Sequence, residues 1–403
     1  MDGDTVRGRP QLIQDFDYQN RFETIEIVGG EVVTPTRTIK NGSVLIEDGI
    51  IKDIHSAGPV IGDRIVDATG KTVLPGLIDI HGDDIEQHVE PRTGAKIDPQ
   101  IAMRSADRAN VLSGITTKLH AIAFEEAHEE SRSIDRANAL ARIVTATEGL
   151  IGDNRLHARS ELADASEGEV ARWIERGAVE LVSLINHKPG TGQFDNEERF
   201  MERYSADGGL SEQSVNQLIE KRRKIPPWLV AERGERLQSI AVSHGIPIAS
   251  HDDESAVGVS ANAALGTTIS EFPLTTEAAS EAKRLDMATV MGAPNLVRGA
   301  SLWDNMSVRQ AIDEGLVDII CSDYHPPSLL AAPFVPTGEP LHERVARVTK
   351  NPADVLGFER RGRIEQGARA DLIIVDREPV PTVDSLLIEG REIFSTDGRC
   401  SHH

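Results

Sequence analysis

The feature that most constrains the fold is a repeated alternation of short apolar strands and long helical stretches between about Leu74 and Leu341. This alternation is typical of βα units that build a parallel sheet, because parallel neighbours need a long crossover between them. Eight strands in roughly 270 residues match the number and length of an α/β fold of the (β/α)8 TIM-like barrel type. An open doubly wound sheet is the alternative, but no glycine-rich phosphate fingerprint follows the first strand. The predicted strands are Leu77–Gly82, Ile115–Ile122, Leu156–Leu162, Glu180–His187, Ile246–Asp252, Thr267–Phe272, Met287–Gly292 and Val317–Tyr324.

Short β-patterned segments flank this region at both ends of the chain. They begin at Thr24, and the dipeptide Asp48-Gly49 between two of them is a strong hairpin signal. Similar short strands recur between Ala370 and Phe394. We therefore predict three parts: a loose polar segment (1–22), a small β-sandwich domain built from both ends (23–73 and 346–403), and a barrel (74–345).

The charge of the chain excludes two classes of partner. The 403 residues include 43 Lys+Arg and 65 Asp+Glu, which gives a formal net charge of −22. Nucleic acids and anionic membranes are bound through basic side chains that neutralise phosphates, so we expect neither as a partner. Only ten of the basic residues are Lys. An acidic surface so poor in Lys favours a halophilic protein, with an ordinary acidic bacterial protein as the alternative.

The thermal stability at different KCl concentrations tests the halophilic interpretation. Repulsion among the carboxylates is screened within roughly 3 Å at 1 M salt, so we expect the melting temperature to rise between low and molar KCl. A melting temperature that does not rise over this range would contradict the interpretation.

The cysteine content indicates the compartment. The chain has two cysteines, of which Cys321 lies inside an apolar strand and Cys400 lies close to the end of the sequence. Such usage does not indicate a disulfide framework. The polar start of the sequence has no apolar stretch of the signal-peptide type. We therefore expect a cytoplasmic protein.

Ionisable residues follow several predicted strands at the same end of the barrel. The C-terminal ends of all strands meet at one face, where barrel enzymes place their chemistry. A single His at a strand end is more often an ordinary hydrogen-bonding residue than a metal ligand. Several such groups buried together without a cation would be costly, however. The predicted metal ligands are His81, Asp83, Glu161, His187, His251 and Asp323.

The ligand types narrow the choice of metal and the reaction class. His and carboxylate ligands without a suitably placed Cys favour Zn²⁺, with Mn²⁺ or Fe²⁺ as alternatives. Glu161 could bridge two ions held roughly 3.5 to 4 Å apart, so both one and two ions remain open. With two ions, a bridging water of lowered pKa would be the nucleophile and Asp323 the general base. Hydrolysis is the predicted reaction, and Asp252 and Asp253 are expected to orient ligands or loops.

The strand-end residues lie in segments that resemble the amidohydrolase superfamily. The similar segments are the entry strand Pro75–His81, an Asp on the last barrel strand, and the return segments Thr349–Ala353 and Gly362–Ile373. Five further motifs resemble the PhnM family of phosphonate catabolism, whose members hydrolyse α-D-ribose 1-methylphosphonate 5-triphosphate to the 5-phosphate and diphosphate. These motifs are His81–Asp84 with His88–Arg92, Ser183–Gly190, Ser250–Asp253, Met291–Gly299 and Ser322–Tyr324.

The resemblance implies a metal-dependent diphosphatase that acts on a phosphorylated sugar and forms a homo-oligomer, with the six predicted ligands as its metal site. Two positions depart from the family: Gly82 stands where relatives commonly have Thr, and His120 where they often have Asp. In much of the superfamily, the two ligands that are single His residues lie on strands five and six. Our strand count places His187 and His251 on strands four and five.

A triphosphate carries about four negative charges, so its binding needs local cations. We predict Lys188, Arg298, Arg92 and His120 as substrate-binding residues. The alternative is an ordinary surface ion pair for the lysine and the two arginines, and a position behind the ligands for His120. Lys118 shares the two possibilities of His120. A related amidohydrolase that cleaves a cyclic amide or an N-acyl group is the alternative function, and a barrel that only binds or scaffolds is a third.

Overall fold

The computed structural model describes residues 24–396 except 57, 93, 128–131, 191–196, 203, 206–209 and 300–305. The predicted loose segment 1–22 and the last residues of the predicted sandwich, 397–403, lie outside the described residues. Within the described part of the chain, no helix is long and apolar enough to cross a membrane.

The first described residues form strands of a mixed sheet. The turn at Asp48-Gly49 joins β2 and β3 in an antiparallel hairpin, as its sequence predicts. β1 is the centre of this region, because it pairs with β2 on one side and with β4 and β5 in parallel on the other. The five strands are β1 (Ile25–Val33), β2 (Thr38–Glu47), β3 (Ile50–Ser56), β4 (Arg64–Asp67) and β5 (Thr72–Pro75).

Eight parallel strands follow and form the predicted barrel. Neighbours in the chain are neighbours in the sheet, and the first and last strands are joined where Asp323 N–H donates to the His81 carbonyl at 2.9 Å and Asp83 N–H to the Asp323 carbonyl at 3.1 Å. All eight predicted strands are confirmed. They are β6 (Leu77–Gly82), β7 (Ile115–Phe124), β8 (Asp153–Glu161), β9 (Val179–Ile185), β10 (Ile248–His251), β11 (Ile269–Glu271), β12 (Ala288–Gly292) and β13 (Ile319–Cys321).

Helices lie between the barrel strands and after them. Several begin at a side chain that accepts a backbone N–H of the first turn, as at Asp98, Ser133, Ser255 and Thr275. The helices are α1 (Ile85–Val89), α2 (Pro99–Leu112), α3 (Ile134–Ala146), α4 (Glu167–Glu175), α5 (Glu197–Glu202), α6 (Glu212–Arg223), α7 (Pro227–Ser243), α8 (Ala256–Ala264), α9 (Thr276–Arg284), α10 (Ala293–Arg298), α11 (Val308–Asp313), α12 (Pro326–Ala331), α13 (Leu341–Ala346) and α14 (Lys350–Val355).

Strands from the end of the chain complete the first sheet. β14 (Leu372–Asp376) pairs with β5, and β15 (Thr382–Ile388) and β16 (Arg391–Ser395) follow in antiparallel order. Both ends of the chain therefore share one eight-stranded mixed sheet. The alternation of β14 joins this sheet to the barrel: Ile373 and Val375 pack with barrel residues, while Leu372 and Ile374 lie in the sheet's own core.

The barrel strands are buried on both faces. Side chains that alternate along each strand therefore pack either inside the barrel or against the surrounding helices. One set of positions, which includes Leu119, Leu181 and Ala249, forms an apolar cluster drawn from seven strands of the barrel. The alternate positions, such as Ile122 and Val182, pack with the surrounding helices. We call the first set inner and the second outer. The C-terminal ends of the strands, called the barrel mouth below, carry the ionisable inner side chains.

Candidate metal centre

Glu271 lies at the centre of the barrel mouth and holds two histidine rings. Its Oε1 accepts from Nδ1 of His81 at 2.6 Å, and its Oε2 accepts from Nδ1 of His251 at 2.7 Å. The two rings are stacked with centroids 5.9 Å apart and planes 15° from parallel. Burial opposes the charge of Glu271, but the neighbouring imidazoles hold the pKa of its carboxyl well below the usual range. Because Nδ1 of each ring is engaged, Nε2 of each is the atom that can bind a metal.

A second group extends from His251 across the mouth. The rings of His187 and His251 lie 5.9 Å apart, and Nδ1 of His187 lies 3.3 Å from Oε2 of Glu161. Asp252 lies beside both rings, with carboxylate oxygens 3.7 Å from Nε2 of His187 and 3.8 Å from Nε2 of His251. Burial raises the pKa of Glu161 to about 7 and lowers that of His187 to about 4. Both groups are therefore driven towards their neutral forms, which a bound cation would reverse for Glu161.

Asp83 and Asp323 lie at the seam that closes the barrel. Their backbones are hydrogen-bonded to each other, and Gly82 and Asp323 form a parallel bridge. Asp323, two residues after the end of β13, has a φ of 55°, a left-handed conformation that turns the chain there. A Cβ at Gly292 would lie 3.2 Å from Oδ2 of Asp323, so glycine on the neighbouring strand leaves room for this carboxylate.

The donor set fits a divalent cation. Two groups, His81–His157–Glu271 and His187–His251–Asp252, each have candidate ligand atoms within 4.8 Å of one another. The buried Oδ2 of Asp252 has no hydrogen-bond partner among the described residues. Imidazole and carboxylate ligands of this kind suit Zn²⁺, Mn²⁺ or Fe²⁺. Asp252 is therefore a further candidate ligand, although the sequence suggested an orienting role for it.

His157 is close to this centre but is engaged by the protein. Nδ1 contacts the Ile80 carbonyl at 2.9 Å and Nε2 contacts Oγ of Ser183 at 2.6 Å. Burial lowers the pKa of His157 to about 3, so the ring is neutral. We interpret His157 as a structural residue of the barrel interior.

The structure brings four of the six predicted ligands into one connected group and places the other two at the seam beside it. His81, His251, His187 and Glu161 are linked by the contacts above, while Asp83 and Asp323 are joined to His81 through the backbone. Glu161 ends the third barrel strand, His187 follows the fourth and His251 ends the fifth, as the strand count in the sequence predicts.

His120 is a correction to the sequence prediction of a substrate-facing residue. Side chains alternate along β7, so His120 lies on the same face of the strand as Ile122 and Phe124, which pack with the surrounding helices. The ring is fully buried, and Nε2 contacts Oδ1 of Asn154 at 2.8 Å. Because β7 is covered on both faces, its sequence does not reveal which positions face inwards. His120 lies on the outer side of the barrel wall, away from the candidate ligands.

The three other predicted substrate-binding residues are not part of the connected group. Lys188 is half-buried directly after His187, and its Nζ donates to the Ile225 carbonyl at 2.6 Å. Arg92 lies in the loop after α1 and Arg298 at the end of α10, and both are exposed. The structure places all three on segments that follow barrel strands, and it shows no contact between them and the candidate ligands among the residues described.

Lys118 lies behind the ligands of the first strand. Its Nζ donates to Oδ2 of Asp79 at 2.6 Å and to Oγ of Ser322 at 3.0 Å, and it pairs with Oδ1 of Asp84 at 2.9 Å. The Asp79 and Ser322 contacts tie β6 to the segment after β13, next to His81 and Asp323. A Cβ at Gly82 would overlap the Lys118 ammonium group. With Lys118 in this position, residue 82 has room only for glycine.

Gly82→Ala is expected to lower the free energy of unfolding by about 1 to 3 kcal/mol, because the added methyl group must displace a lysine held by three partners. Gly168→Ala in α4 is the control, since nothing lies within 4 Å of a Cβ there and its φ is not positive. Urea unfolding of both variants measures the effect. Equal stability of Gly82→Ala and the wild type would contradict the overlap.

Glu271→Gln is expected to weaken Zn²⁺ binding by about 10- to 100-fold, because an amide has one acceptor oxygen and can orient only one of the two histidines. Competition with a fluorescent zinc chelator measures the affinity. The exposed Glu277→Gln, six residues along the chain, is the control for the loss of one charge. An unchanged affinity in Glu271→Gln would show that the two rings do not depend on Glu271.

Glu271, Asp252 and Arg159 were not singled out by the sequence analysis as ligands or binding residues. Glu271 is the last but one residue of the predicted sixth strand and the last residue of β11, so the rule that found the other strand-end residues also applies to it. Arg159 lies two residues before Glu161 on β8 and shares its inner parity. Its Nη2 lies 3.4 Å from Nε2 of His251, which no sequence pattern indicates.

Comparisons with known proteins agree with this architecture. Residues 335–388 match the model of the amidohydrolase family. The chain is 32% identical over 366 residues to the α-D-ribose 1-methylphosphonate 5-triphosphate diphosphatase of Escherichia coli. This match covers 88% of this chain and 97% of that enzyme. It is 26% identical over 392 residues to a 5-methylthioadenosine/S-adenosylhomocysteine deaminase of Natronomonas pharaonis, covering 88% of this chain and 84% of the deaminase.

Among solved structures, the N-acetyl-D-glucosamine-6-phosphate deacetylase of Mycobacterium smegmatis has a similar fold. Its TM-score is 0.61 at 16% identity, and the match covers 92% of this chain and 100% of the deacetylase. Three observations agree on the family of this chain. They are the barrel with its terminal sheet, the His and carboxylate groups at the mouth, and the extent of the Escherichia coli match. The chain belongs to the amidohydrolase superfamily and, within it, to the PhnM family of phosphonate catabolism.

Proposed function

We propose that this hydrolase cleaves α-D-ribose 1-methylphosphonate 5-triphosphate to the 5-phosphate and diphosphate in phosphonate degradation. The observation that carries the proposal is the match to the Escherichia coli enzyme of that activity, which spans 97% of that enzyme's length. The structure supports a hydrolase of this superfamily independently, because it gathers histidine and carboxylate side chains at the mouth of a barrel.

The metal would be held by His81, Asp83, Glu161, His187, His251 and Asp323, with Asp252 as a further candidate. A bound divalent ion supplies Lewis acidity, which polarises a phosphoryl oxygen and lowers the pKa of water. The protein's own contribution is geometric. Glu271 fixes the planes of His81 and His251, and backbone N–H groups of Ala163 and His187 fix the carboxylate of Glu161 at 3.0 Å each.

Asp323 is proposed as the general base. It lies at the seam beside His81, with its carboxylate in the space that Gly292 leaves open. In the proposed reaction, a water oxygen forms a bond to the α-phosphorus of the triphosphate. The bond from that phosphorus to the oxygen bridging to the β-phosphorus breaks, diphosphate leaves, and the proton of the water passes to a carboxylate oxygen of Asp323.

Phosphorus NMR tests the proposal directly. The metal-loaded protein is incubated with the ribose 1-methylphosphonate 5-triphosphate. In parallel, it is incubated with a cyclic amide such as dihydrouracil, whose hydrolysis is followed by proton NMR. We expect stoichiometric diphosphate and 5-phosphate, with no turnover of the amide. An inert triphosphate together with a hydrolysed amide would overturn the proposal in favour of an amide hydrolase. Release of inorganic phosphate instead of diphosphate would overturn the proposed site of cleavage.

A further inference from the structure

Arg159 brings a guanidinium group against the candidate metal centre. It lies on β8 between His157 and Glu161, and all three side chains point to the barrel interior, where His157 contacts Ser183 and Glu161 contacts His187. The guanidinium Nη2 of Arg159 lies 3.4 Å from Nε2 of His251, the ring atom that faces away from Glu271. Arg159 thus lies beside the ring nitrogen through which His251 would bind a metal.

The other cations around the mouth are paired with carboxylates, engaged by the backbone, or exposed. Arg222 is fully buried between Glu125 and Asp164. Lys118 is enclosed by Asp79 and Asp84. Lys188 donates to a carbonyl, and Arg92 and Arg298 are exposed. None of these side chains is shown in contact with a candidate ligand except Arg222, which is held 3.9 Å from Glu161 within its own network.

Arg159 differs from these residues in its partners. Among the described residues, no carboxylate lies within 4.0 Å of its guanidinium, and its buried Nε has no hydrogen-bond partner. Asp252 is near enough for Arg159 to help lower the pKa of its carboxyl, but it is not paired with the guanidinium within 4.0 Å. The guanidinium therefore has donors left for an anion, and its fork matches the oxygens of a phosphoryl group. In a chain of net charge −22, a polyanion can be bound only where such local cations outweigh the overall field.

We propose that Arg159 binds the phosphoryl oxygens at the reacting end of the triphosphate, next to His251, and there stabilises the leaving diphosphate. This inference rests on the proposed function and deepens it by naming the residue that recognises the anion. The negative charge that develops on the leaving oxygen, and remains on the diphosphate, is opposed by the guanidinium at the mouth.

The test combines binding and kinetics on the full-length, metal-loaded protein. Binding of inorganic diphosphate and of methylphosphonate is measured by titration calorimetry for the wild type, Arg159→Met and Arg159→Lys. We expect Arg159→Met to weaken diphosphate binding by about 10- to 100-fold, with a similar fall in kcat/KM for the triphosphate. Arg159→Lys should recover part of the loss, because a lysine supplies the charge without the fork.

Controls separate this role from others. Arg172→Met removes the same charge from an exposed pair with Glu169 and should leave diphosphate binding unchanged. Metal content and melting temperature of Arg159→Met should equal those of the wild type, since a purely structural role would change the melting temperature. A larger effect on methylphosphonate than on diphosphate would overturn the proposal, because Arg159 would then contact the phosphonate end of the sugar.

Failure of this inference and failure of the proposed function give different results. If the wild type releases diphosphate from the triphosphate and Arg159→Met does so with the same kcat/KM, the inference is wrong and the function stands. If the wild type neither cleaves the triphosphate nor binds diphosphate, the function is wrong and the inference fails with it.

Discussion

Asp323→Asn is expected to lower kcat for diphosphate release by about 10²- to 10⁴-fold, the range observed when a general base is removed. Asparagine has nearly the same shape as aspartate, so it fits the space beside Gly292, but its amide cannot accept the proton of the attacking water. The rate is measured by phosphorus NMR or by a coupled diphosphate assay at saturating substrate. Asp313→Asn, on the exposed end of α11, is the control for an ordinary loss of one carboxylate.

Asp323 is also a predicted metal ligand, so the metal content of the variant has to be measured together with its rate. If the loss of rate disappears when excess Zn²⁺ restores full metal content, Asp323 acts as a ligand and is not the base. If the variant holds its metal and retains more than a tenth of the wild-type kcat, the proposed role as general base is wrong.

The architecture of this chain could be predicted from the sequence because long helical segments separate the strands clearly. β6 to β13 are short apolar runs between long helical segments, and the spacing of eight such runs has few alternatives among known folds. The hairpin at Asp48-Gly49 could be predicted for a different reason, since that dipeptide matches one tight turn. The paired ends of the chain were expected as a sandwich, and the structure describes them as one mixed sheet joined at β5 and β14.

The candidate site could be predicted only as far as the strand ends could be counted. His81, Glu161, His187 and His251 fall at or just after strand ends, and the structure links them. Two positions stayed open for His120 because β7 is buried on both faces, so the sequence alone does not distinguish its inner from its outer positions. The Glu271 contacts join residues 190 and 20 positions apart in the chain, which no local pattern records.

Arg222 shows a further limit of the sequence, because its partners come from three separate segments. It lies on α6, in the long excursion between β9 and β10, and its side chain is 0% exposed. Nη2 lies 2.6 Å from Oδ2 of Asp164 and 3.2 Å from Oε2 of Glu125, while Nη1 donates to the Tyr204 hydroxyl at 2.8 Å and to the His187 carbonyl at 3.0 Å. The excursion is thus tied to the mouth beside a candidate ligand.

Arg222→Met is expected to lower the free energy of unfolding by about 3 to 5 kcal/mol, because Asp164 loses its closest cation and Glu125 one of two while both stay buried. Burial alone would raise the pKa of Glu125, but Arg132 and Arg222 together hold it far below the usual range. Arg223→Met is the matched control: the next residue on α6 is 46% exposed and pairs with Glu197 at the surface, where we expect no measurable change.

A triple variant shows whether the stability lost in Arg222→Met comes from the missing ion pairs or from the carboxylates left buried without a cation. If the cost of Arg222→Met comes from the carboxylates left behind, then adding Glu125→Gln and Asp164→Asn should recover much of the stability, although the variant lacks the same ion pairs. Chemical unfolding of the single and triple variants measures this. A triple variant less stable than Arg222→Met would show that the attraction within the network outweighs the cost of burying its charges, and that the excursion depends on those ion pairs to remain docked beside His187.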